Sequence, residues 1–373
     1  MISNAKRRSQ LRPQGNECPA CHGCQWRKDC GGFYSGRLFG NCFEETCCHF
    51  TGKDKSECNA VCPYKDDFDV WLKDVHGLRF DDLPTFTQPE LNLPLYVPEI
   101  DHRSRRNKPL DWPVVSINPY NVLRIRRSNN EYRAIADDPD ELRREFLIQP
   151  NAKIVLRGIS CDPQLERYWE NREVADAPNQ LARLKVHAAI GPNFSHFLDV
   201  PRTDHLYNRR RQLLCDLELL NAGLAIIPHL SAVMPGDWWF WRSFLRKNSS
   251  IKVVALEFQT GNKNRTQGQK AIQHLATIQQ EIGRPLHPLI VGGAQFVEFV
   301  AARFDRLTLL DSTPFFKAMH RQSITCHEGK IGWESRYRLN GQDVDEFLLS
   351  NIAGYSKSIE DRASRTRRTA NLN

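Results

Sequence analysis

From residue 114 to about residue 320, short apolar runs alternate with longer amphipathic stretches, and this alternation constrains the fold more than any other feature of the chain. The apolar runs are Val114 to Asn118, Lys153 to Gly158, Val186 to Gly191, Leu224 to His229, Ile251 to Glu257, Leu286 to Val291 and Leu307 to Leu310. After them come Asp138 to Phe146, Gln164 to Leu184, His205 to Asn221, Asp237 to Lys247, Gln267 to Ile282, Gln295 to Phe304 and a short helix from Pro314. A run such as Ile251-Lys-Val-Val-Ala-Leu256 is apolar on both faces, as a parallel strand covered on both sides must be. The spacing of each pair suits a right-handed crossover. Seven strand-then-helix units, with an eighth strand expected near Ser323 to Cys326, predict an α/β fold of the (β/α)8 TIM-like barrel type. In the stretch from His205, Leu206, Leu213, Leu217 and Leu220 recur at helical spacing and mark an inward face, and Gly223 is placed to end that helix.

The amino-terminal part is of another kind. Nine of the twelve cysteines, Cys18, Cys21, Cys24, Cys30, Cys42, Cys47, Cys48, Cys58 and Cys62, fall within 45 residues that are short of aliphatic side chains. Thiolates two residues apart converge on one metal from a tight turn, and such clips fold a segment that has no apolar core. The first residues, Met1-Ile-Ser-Asn-Ala-Lys-Arg-Arg, carry no apolar signal core and no stretch resembles a membrane span, so the chain reads as cytoplasmic and the cysteines as metal ligands rather than disulfides. Zinc and an iron–sulfur cluster both stay open. CxxC pairs with His22 or His49 suit zinc, whereas Cys18-x2-Cys21-x2-Cys24 with the later Cys58-x3-Cys62-Pro63 suits iron–sulfur ligation.

These features divide the chain into a basic tail (1–16) expected to be disordered, a Cys-rich metal-binding module (17–66), a Pro-rich connector (67–111), the barrel (112–335) and a carboxyl-terminal extension with a basic tail (336–373). The connector, with Pro84, Pro89, Pro94, Pro98 and Pro109, suits an extended segment wrapped over its neighbour. A formal charge of +8 favours polyanionic partners, with basic clusters at Lys6-Arg7-Arg8, Arg103 to Lys108, Arg124 to Arg127, Arg209-Arg210-Arg211 and Arg362 to Arg368. Nucleic acid, DNA or tRNA, is the partner this charge suggests; a membrane is not, and the oligomeric state is left open.

In a barrel, functional residues lie where strands end. Those ends read Gly191-Pro-Asn193-Phe-Ser195, Pro228-His229-Leu-Ser231, Glu257-Phe-Gln259-Thr-Gly261, Gly292-Gly293-Ala-Gln295 and Asp311-Ser312-Thr313-Pro314. Each has a bland alternative: glycines that permit turns, a satisfied core histidine, an N-cap before Pro314. Their coincidence at one end of successive strands favours a site. Asp311, a carboxylate ending an apolar strand, is the candidate nucleophile; Glu257 and His229 are candidates for proton transfer. Asn193, Gln259, Gly261, Gly292 and Gly293 are candidate substrate contacts, Gln259 for a base edge and the glycines for backbone contact with a flat ligand.

The order Gln259 with Gly261, then Gly292-Gly293, then Asp311 resembles the strand ends of the tRNA-guanine transglycosylase superfamily, and in particular the relatives that insert deazaguanine into bacterial and phage DNA. The resemblance spans Val186 to Arg321 and implies that the Gln and Gly-Gly strand ends bind a base while Asp311 attacks the ribose C1′. Two departures stand beside it: Gly191-Pro-Asn193-Phe194 replaces the family's Asp-Ser-Gly-Gly-Phe, and only Cys326 and His327 stand where the family has its Cys3His zinc site. Gly191-Pro-Asn-Phe-Ser with Gly223-Leu-Ala-Ile-Ile-Pro228 also resembles an uncharacterised bacterial and phage domain family of unknown function. The leading reading is therefore a base-modifying glycosyltransferase, transglycosylase-like, acting by base exchange or other glycosidic-bond chemistry. The rivals are a non-catalytic metal-containing nucleic-acid-binding protein and an iron–sulfur redox enzyme.

Overall fold

A computed structural model of the chain describes residues 16–17, 22, 34–35, 59–62, 65–102, 105–126, 131–197, 200–327, 330–335 and 343–370. It shows a mixed α/β fold with eleven α-helices among the described residues and two four-stranded parallel sheets. The strands of these sheets are β1 (Tyr96–Pro98), β2 (Val114–Ile117), β3 (Lys153–Arg157), β4 (Ala188–Ile190), β5 (Ile226–Ile227), β6 (Val253–Glu257), β7 (His287–Val291) and β8 (Thr308–Asp311). One sheet is ordered β6-β7-β8-β1 and the other β2-β3-β4-β5. Parallel bridges Glu99–Ser116 and His229–Ala255 join β1 to β2 and β5 to β6.

The alternation of side chains explains why these runs are apolar throughout. Val97, Val114, Val155, Ala188, Ile190, Ile227, Val253, Ala255, Leu289, Val291 and Leu310, at least one from every strand, form one buried cluster with Leu91 and Leu93. The residues of opposite parity, among them Tyr96, Val115, Ile154, Leu156, Ile226, Val254, Ile290 and Leu309, belong to a second, larger core shared with the helices.

All seven of the expected strands begin and end within two residues of the observed ones, and four readings need correction. The first strand, β1, lies inside the segment read as connector, where three residues between prolines give too short a signal, so the parallel sheets begin at residue 96 rather than 112. Residues Ser323 to Cys326 do not supply an eighth parallel strand; Gln322–His327 pairs antiparallel with Lys330–Ser335 as a hairpin. The stretch Gln164 to Leu184 is two helices, Asp162–Asn171 and Ala177–Arg183, because Pro178 has no N–H to give and is tolerated only in a first turn.

The fourth correction concerns charge. Arg209, Arg210 and Arg211, read as a solvated basic cluster, are all buried on the helix α1 (Arg202–Asn221). Arg209 pairs with Asp237 at 2.5 Å, Arg210 with Asp82 at 2.6 Å and with the carbonyls of Val75 and Arg79, and Arg211 with Glu166 while lying 3.9 Å over the Phe194 ring. A guanidinium can leave water only when its donors meet carboxylates and carbonyls in this way. The cluster is thus a set of internal fasteners and is withdrawn from any phosphate. Arg106 is likewise buried, on Asp345 and on the carbonyls of Phe146 and Leu147. The leucine face of α1 holds as expected, and Gly223 follows the helix with φ +97°.

The connector opens with a helix, Phe68–Asp74, and only its middle, from Phe86 to Pro94, runs along the amino-terminal ends of the strands. Its Gln88, 7% exposed, fills the gap beside two-residue β5: its Nε2 donates to the carbonyls of Ile226 (2.8 Å) and Val253 (2.9 Å), and its Oε1 accepts from the amides of Lys252 (3.0 Å) and Val253 (2.8 Å). Asn248 does the same for Phe86, accepting its amide at 2.8 Å. Gln88→Ala would remove the partner of three buried backbone groups and of the part-buried Lys252 amide, each buried one costing about 1 kcal/mol or more, so chemical denaturation should show a loss of roughly 3 kcal/mol or more. A loss below about 0.5 kcal/mol would mean that water replaces the amide.

Candidate functional site

Because the strands are parallel, their carboxyl-terminal ends lie on one side, and the residues that follow them meet there. Asp311 ends β8 and is buried. Its Oδ1 accepts the Thr313 amide at 2.7 Å, which starts the helix Thr313–Met319, and its Oδ2 accepts the Tyr355 hydroxyl at 3.0 Å. Tyr355 belongs to the long carboxyl-terminal helix α2 (Val344–Ala370), whose ring lies 5.2 Å from that of Tyr96. Burial, the Asp311 charge and the hydrogen bond to it raise the Tyr355 hydroxyl far above the ordinary tyrosine value, so it acts as a donor.

The neighbouring strand end adds a second carboxyl. The Glu99 amide donates to the Asp311 carbonyl at 3.2 Å, and the Glu99 side chain pairs with Arg157, whose guanidinium lies 2.6 Å away. Burial raises the Glu99 pKa; Arg157 opposes this and the charges of Asp311 and Asp101 add to it. Two buried carboxyls thus stand on adjacent strand ends in unlike surroundings, Asp311 bonded to a hydroxyl and an amide, Glu99 to a cation.

The next sector holds Glu257, Gln259, Gly261, Gly292 and Gly293. Gly292 and Gly293 have φ of +67° and +73°, and a Cβ at 292 would come 2.8 Å from Gln259 Cγ, one at 293 2.6 Å from Phe258 Cβ. The glycine pair therefore serves the turn and lets the Gln259 side chain lie on backbone. The Gly292 amide donates to the Leu310 carbonyl at 2.8 Å, setting this turn beside the Asp311 strand end. Glu257 turns back on its own loop: its carboxylate accepts the Gln259 amide, the Thr260 amide (2.8 Å) and the Thr260 hydroxyl (2.9 Å). Gly261 starts a short exposed turn, with open space around it.

On the other side, Asn193 Oδ1 accepts the Ser160 amide at 2.8 Å and ties the β4 loop to the β3 loop. His229 is buried, and burial lowers its pKa to about 4, so the imidazole is neutral; its carbonyl accepts from Gln212 at 2.6 Å. Asp216 of α1 packs so closely behind Gly191 that a Cβ there would be 1.9 Å from its Oδ1, and burial raises its pKa well above the carboxylate range. The structure therefore brings Gln259 onto Gly292 and sets Gly292 beside β8, while the hydrogen bonds of Asp311 and Glu257 go to their own loops and to Tyr355.

The metal-ligand expectation falls mostly outside the described residues, which exclude Cys18, Cys21, Cys24, Cys30, Cys42, Cys47, Cys48 and Cys58. Cys62 is described and buried, and His22 is exposed. Beside Cys62, the Val61 amide donates to Asp204 Oδ1 at 2.9 Å and the Val61 carbonyl accepts from Thr203 Oγ1 at 2.5 Å. Both partners lie in the first turn of α1, so the end of the Cys-rich segment is fastened on the strand-end side. Among the described residues no three His, Cys, Asp or Glu side chains converge to hold a metal ion.

Three site residues escaped the sequence reading. Glu99 lay in the connector, Tyr355 on a helix that gives no strand-end signal, and Arg157 directly after an apolar run, where the rule used for the other strands would have found it. A buried ionic cluster was also missed. Although burial opposes its ionisation, Arg202 and Arg209 hold Asp237 well below the usual carboxylate range, and its Oδ2 accepts the amides of Val233 (2.8 Å) and Met234 (2.7 Å). His205, beside Arg202, is lowered to about 4 by burial and by that cation.

No family model matches the chain, and no curated protein sequence matches it significantly.

His229, His205 and His287 all have folded-state values of about 4, against about 6.5 when exposed. The unfolded chain then binds protons that the folded chain does not, so stability is fully present above pH 6.5 and falls as pH drops toward 4. His229→Gln should make the acid limb of a urea-midpoint profile shallower, by about 2–3 kcal/mol between pH 7.5 and 4.5. An unchanged limb would place the imidazole in contact with water.

Proposed function

We propose that the eight parallel strands close into a (β/α)8 barrel whose strand ends form an active site for glycosidic-bond chemistry on a nucleic-acid base. Closure is supported by the bridges at both edges of the sheets and by the one apolar cluster that draws on all eight strands. The catalytic reading rests on the adjacent carboxyls Asp311 and Glu99, because two carboxyls in unlike environments divide the roles of nucleophile and acid.

In this reading a carboxylate oxygen of Asp311 attacks the anomeric carbon, the bond to the base breaks, and its electron pair leaves with the base. Glu99, whose pKa burial raises, supplies the proton, and Arg157 takes up the carboxylate charge that this leaves. An incoming base then displaces Asp311, returning its proton to Glu99, which gives exchange; water in its place gives hydrolysis. Tyr355 and the Thr313 amide orient Asp311, Arg157 balances the charge on Glu99, and the Gln259 amide over Gly292 meets the edge of the base. Glu257, engaged by its loop, shapes the Gln259 turn, and neutral His229 is a secondary proton acceptor. The Cys-rich module would hold zinc or an iron–sulfur cluster and add affinity for the nucleic acid.

Among the described residues no helix is long and apolar enough to cross a membrane. The partner proposed is nucleic acid, met by basic residues other than the buried Arg209 to Arg211.

The test compares the chain with Asp311→Asn, which keeps the shape and the bond from the Thr313 amide and reverses the one to Tyr355, the amide nitrogen donating to the hydroxyl oxygen. Release or exchange of labelled base from tRNA and from DNA should fall about 10³-fold or more, with the circular dichroism and melting profile kept. Intact mass should show a covalent sugar adduct on the wild-type chain only. Wild-type turnover in Asp311→Asn would end the nucleophile assignment.

A further inference from the structure

A groove of about 210 Å³ lies away from the strand-end residues, lined by Cys326, Ser358, Asp361, Ser364, Arg365 and Arg368. Cys326 comes from the hairpin strand Gln322–His327, and the other five from the last turns of α2. The hairpin is fixed along that helix: Asn351 Oδ1 accepts the Ile324 amide at 2.8 Å, Asn351 Nδ2 donates to the Gln322 carbonyl at 2.8 Å, and a Cβ at Gly354 would meet Ile324 Cγ2 at 2.9 Å. Further along, Ser358, Asp361, Arg365 and Arg368 follow at spacings of three, four and three, which keeps them on one helix face.

The chemistry of this face is that of an anion site. Arg362, on the adjoining face, is engaged by Glu298 and by the Ala294 carbonyl. Arg365 and Arg368 line the groove with two hydroxyls and a single carboxylate, so cations exceed anions within it. Arg365 Nε donates to the Asp361 carbonyl at 3.3 Å, which orients the guanidinium along the helix. The carboxyl-terminal dipole of a helix opposes an anion only weakly and only within the last turn. A charge-assisted hydrogen bond to a guanidinium is the stronger effect, so the two arginines decide the sign.

The helix also connects this groove to the site. Tyr355 donates to Asp311, and Arg362 binds the carbonyl of the residue following Gly293, so α2 contacts the strand-end loops on the face that adjoins the groove. Ten residues separate Tyr355 from Arg365, about 15 Å along the axis. That is roughly four stacked nucleotides at about 3.4 Å each.

We propose that this groove is a phosphodiester-binding subsite that holds the strand flanking the reacting nucleotide, with Arg365 and Arg368 as the paired cations and Ser358 and Ser364 as hydroxyl donors. The assignment rests on the reading of the strand ends as acting on nucleic acid, and it makes the substrate a polynucleotide rather than a free nucleoside.

Fluorescein-labelled 20-mers of one sequence, as single-stranded DNA and as RNA, serve as probes for the full chain by anisotropy from 50 to 300 mM KCl. The double variant Arg365→Gln/Arg368→Gln should bind the preferred 20-mer about tenfold more weakly or worse at 100 mM, with the log–log salt slope reduced by about one to two. Asp361→Asn should bind more tightly. Bound oligonucleotide should also slow alkylation of Cys326, an exposed free thiol, by iodoacetamide as read by peptide mass mapping. Unchanged affinity and slope in the double variant, or alkylation of Cys326 unaffected by saturating oligonucleotide, overturns the proposal. Asp311→Asn separates the two readings. Loss of binding in the arginine variant with no Asp311-dependent chemistry keeps the subsite and removes the transglycosylase step, while Asp311-dependent release from free nucleosides with binding indifferent to the arginines does the reverse.

Discussion

Parallel pairing of every strand in the two principal sheets is the constraint on which the rest of the molecule depends. Adjacent parallel strands can be joined only by crossovers, so each chain segment must return over the outside before the next strand begins. The consequence is a polarity: loops that support the fold gather at one end and loops free to carry chemistry at the other. Gln88 and Asn248 close the amino-terminal end by satisfying backbone groups, whereas Glu99, Arg157, Asn193, Gln259 and Asp311 collect at the opposite end.

Polar residues inside this fold are used mainly as fasteners. The first three turns of α1 are buried on nearly all sides, and each of its three consecutive arginines leaves in a different direction to reach a carboxylate on another element: Asp237, Asp82 or Glu166. Such pairs contribute little net energy relative to apolar packing, but in Arg209–Asp237, buried on both sides, removing either partner leaves an uncompensated buried charge at a cost of about 3–5 kcal/mol, whereas Asp82 and Glu166 are half exposed and would return to water. They fix where α1 sits, and α1 in turn holds the end of the Cys-rich segment through Thr203 and Asp204. Val61 is therefore tied to the fold through this helix.

The same economy is visible at the candidate site. Asp311 starts the following helix through the Thr313 amide and anchors the carboxyl-terminal helix through Tyr355, so the residue proposed as nucleophile also positions two elements. The groups that hold a carboxylate in one rotamer are those that aim it. Glu99 reaches the same place from a strand 212 residues earlier in the chain, brought beside Asp311 by the pairing of β1 with β8.

The strands from β2 to β8, the helices between them apart from the break in Gln164 to Leu184, and the polar residues that follow the strands were legible from the sequence, because an apolar run flanked by amphipathic stretches has few other ways to bury both its faces. Gln259 lies against Gly292 for a related reason: neighbouring parallel strands put corresponding ends side by side. What the sequence could not supply were partners distant along the chain. The three residues of β1 form a strand only because β8 and the Glu99–Ser116 bridge are there to receive them, and Ser323 to Cys326 look like such a strand but find a hairpin partner nearer in sequence. Whether Arg209 to Arg211 face water or carboxylates is equally invisible in a local pattern, since a guanidinium's burial depends on where Asp237, Asp82 and Glu166 end up. Local periodicity determined which segments are strands and helices; only tertiary pairing decided which charges meet, because that depends on contacts between residues far apart in the chain.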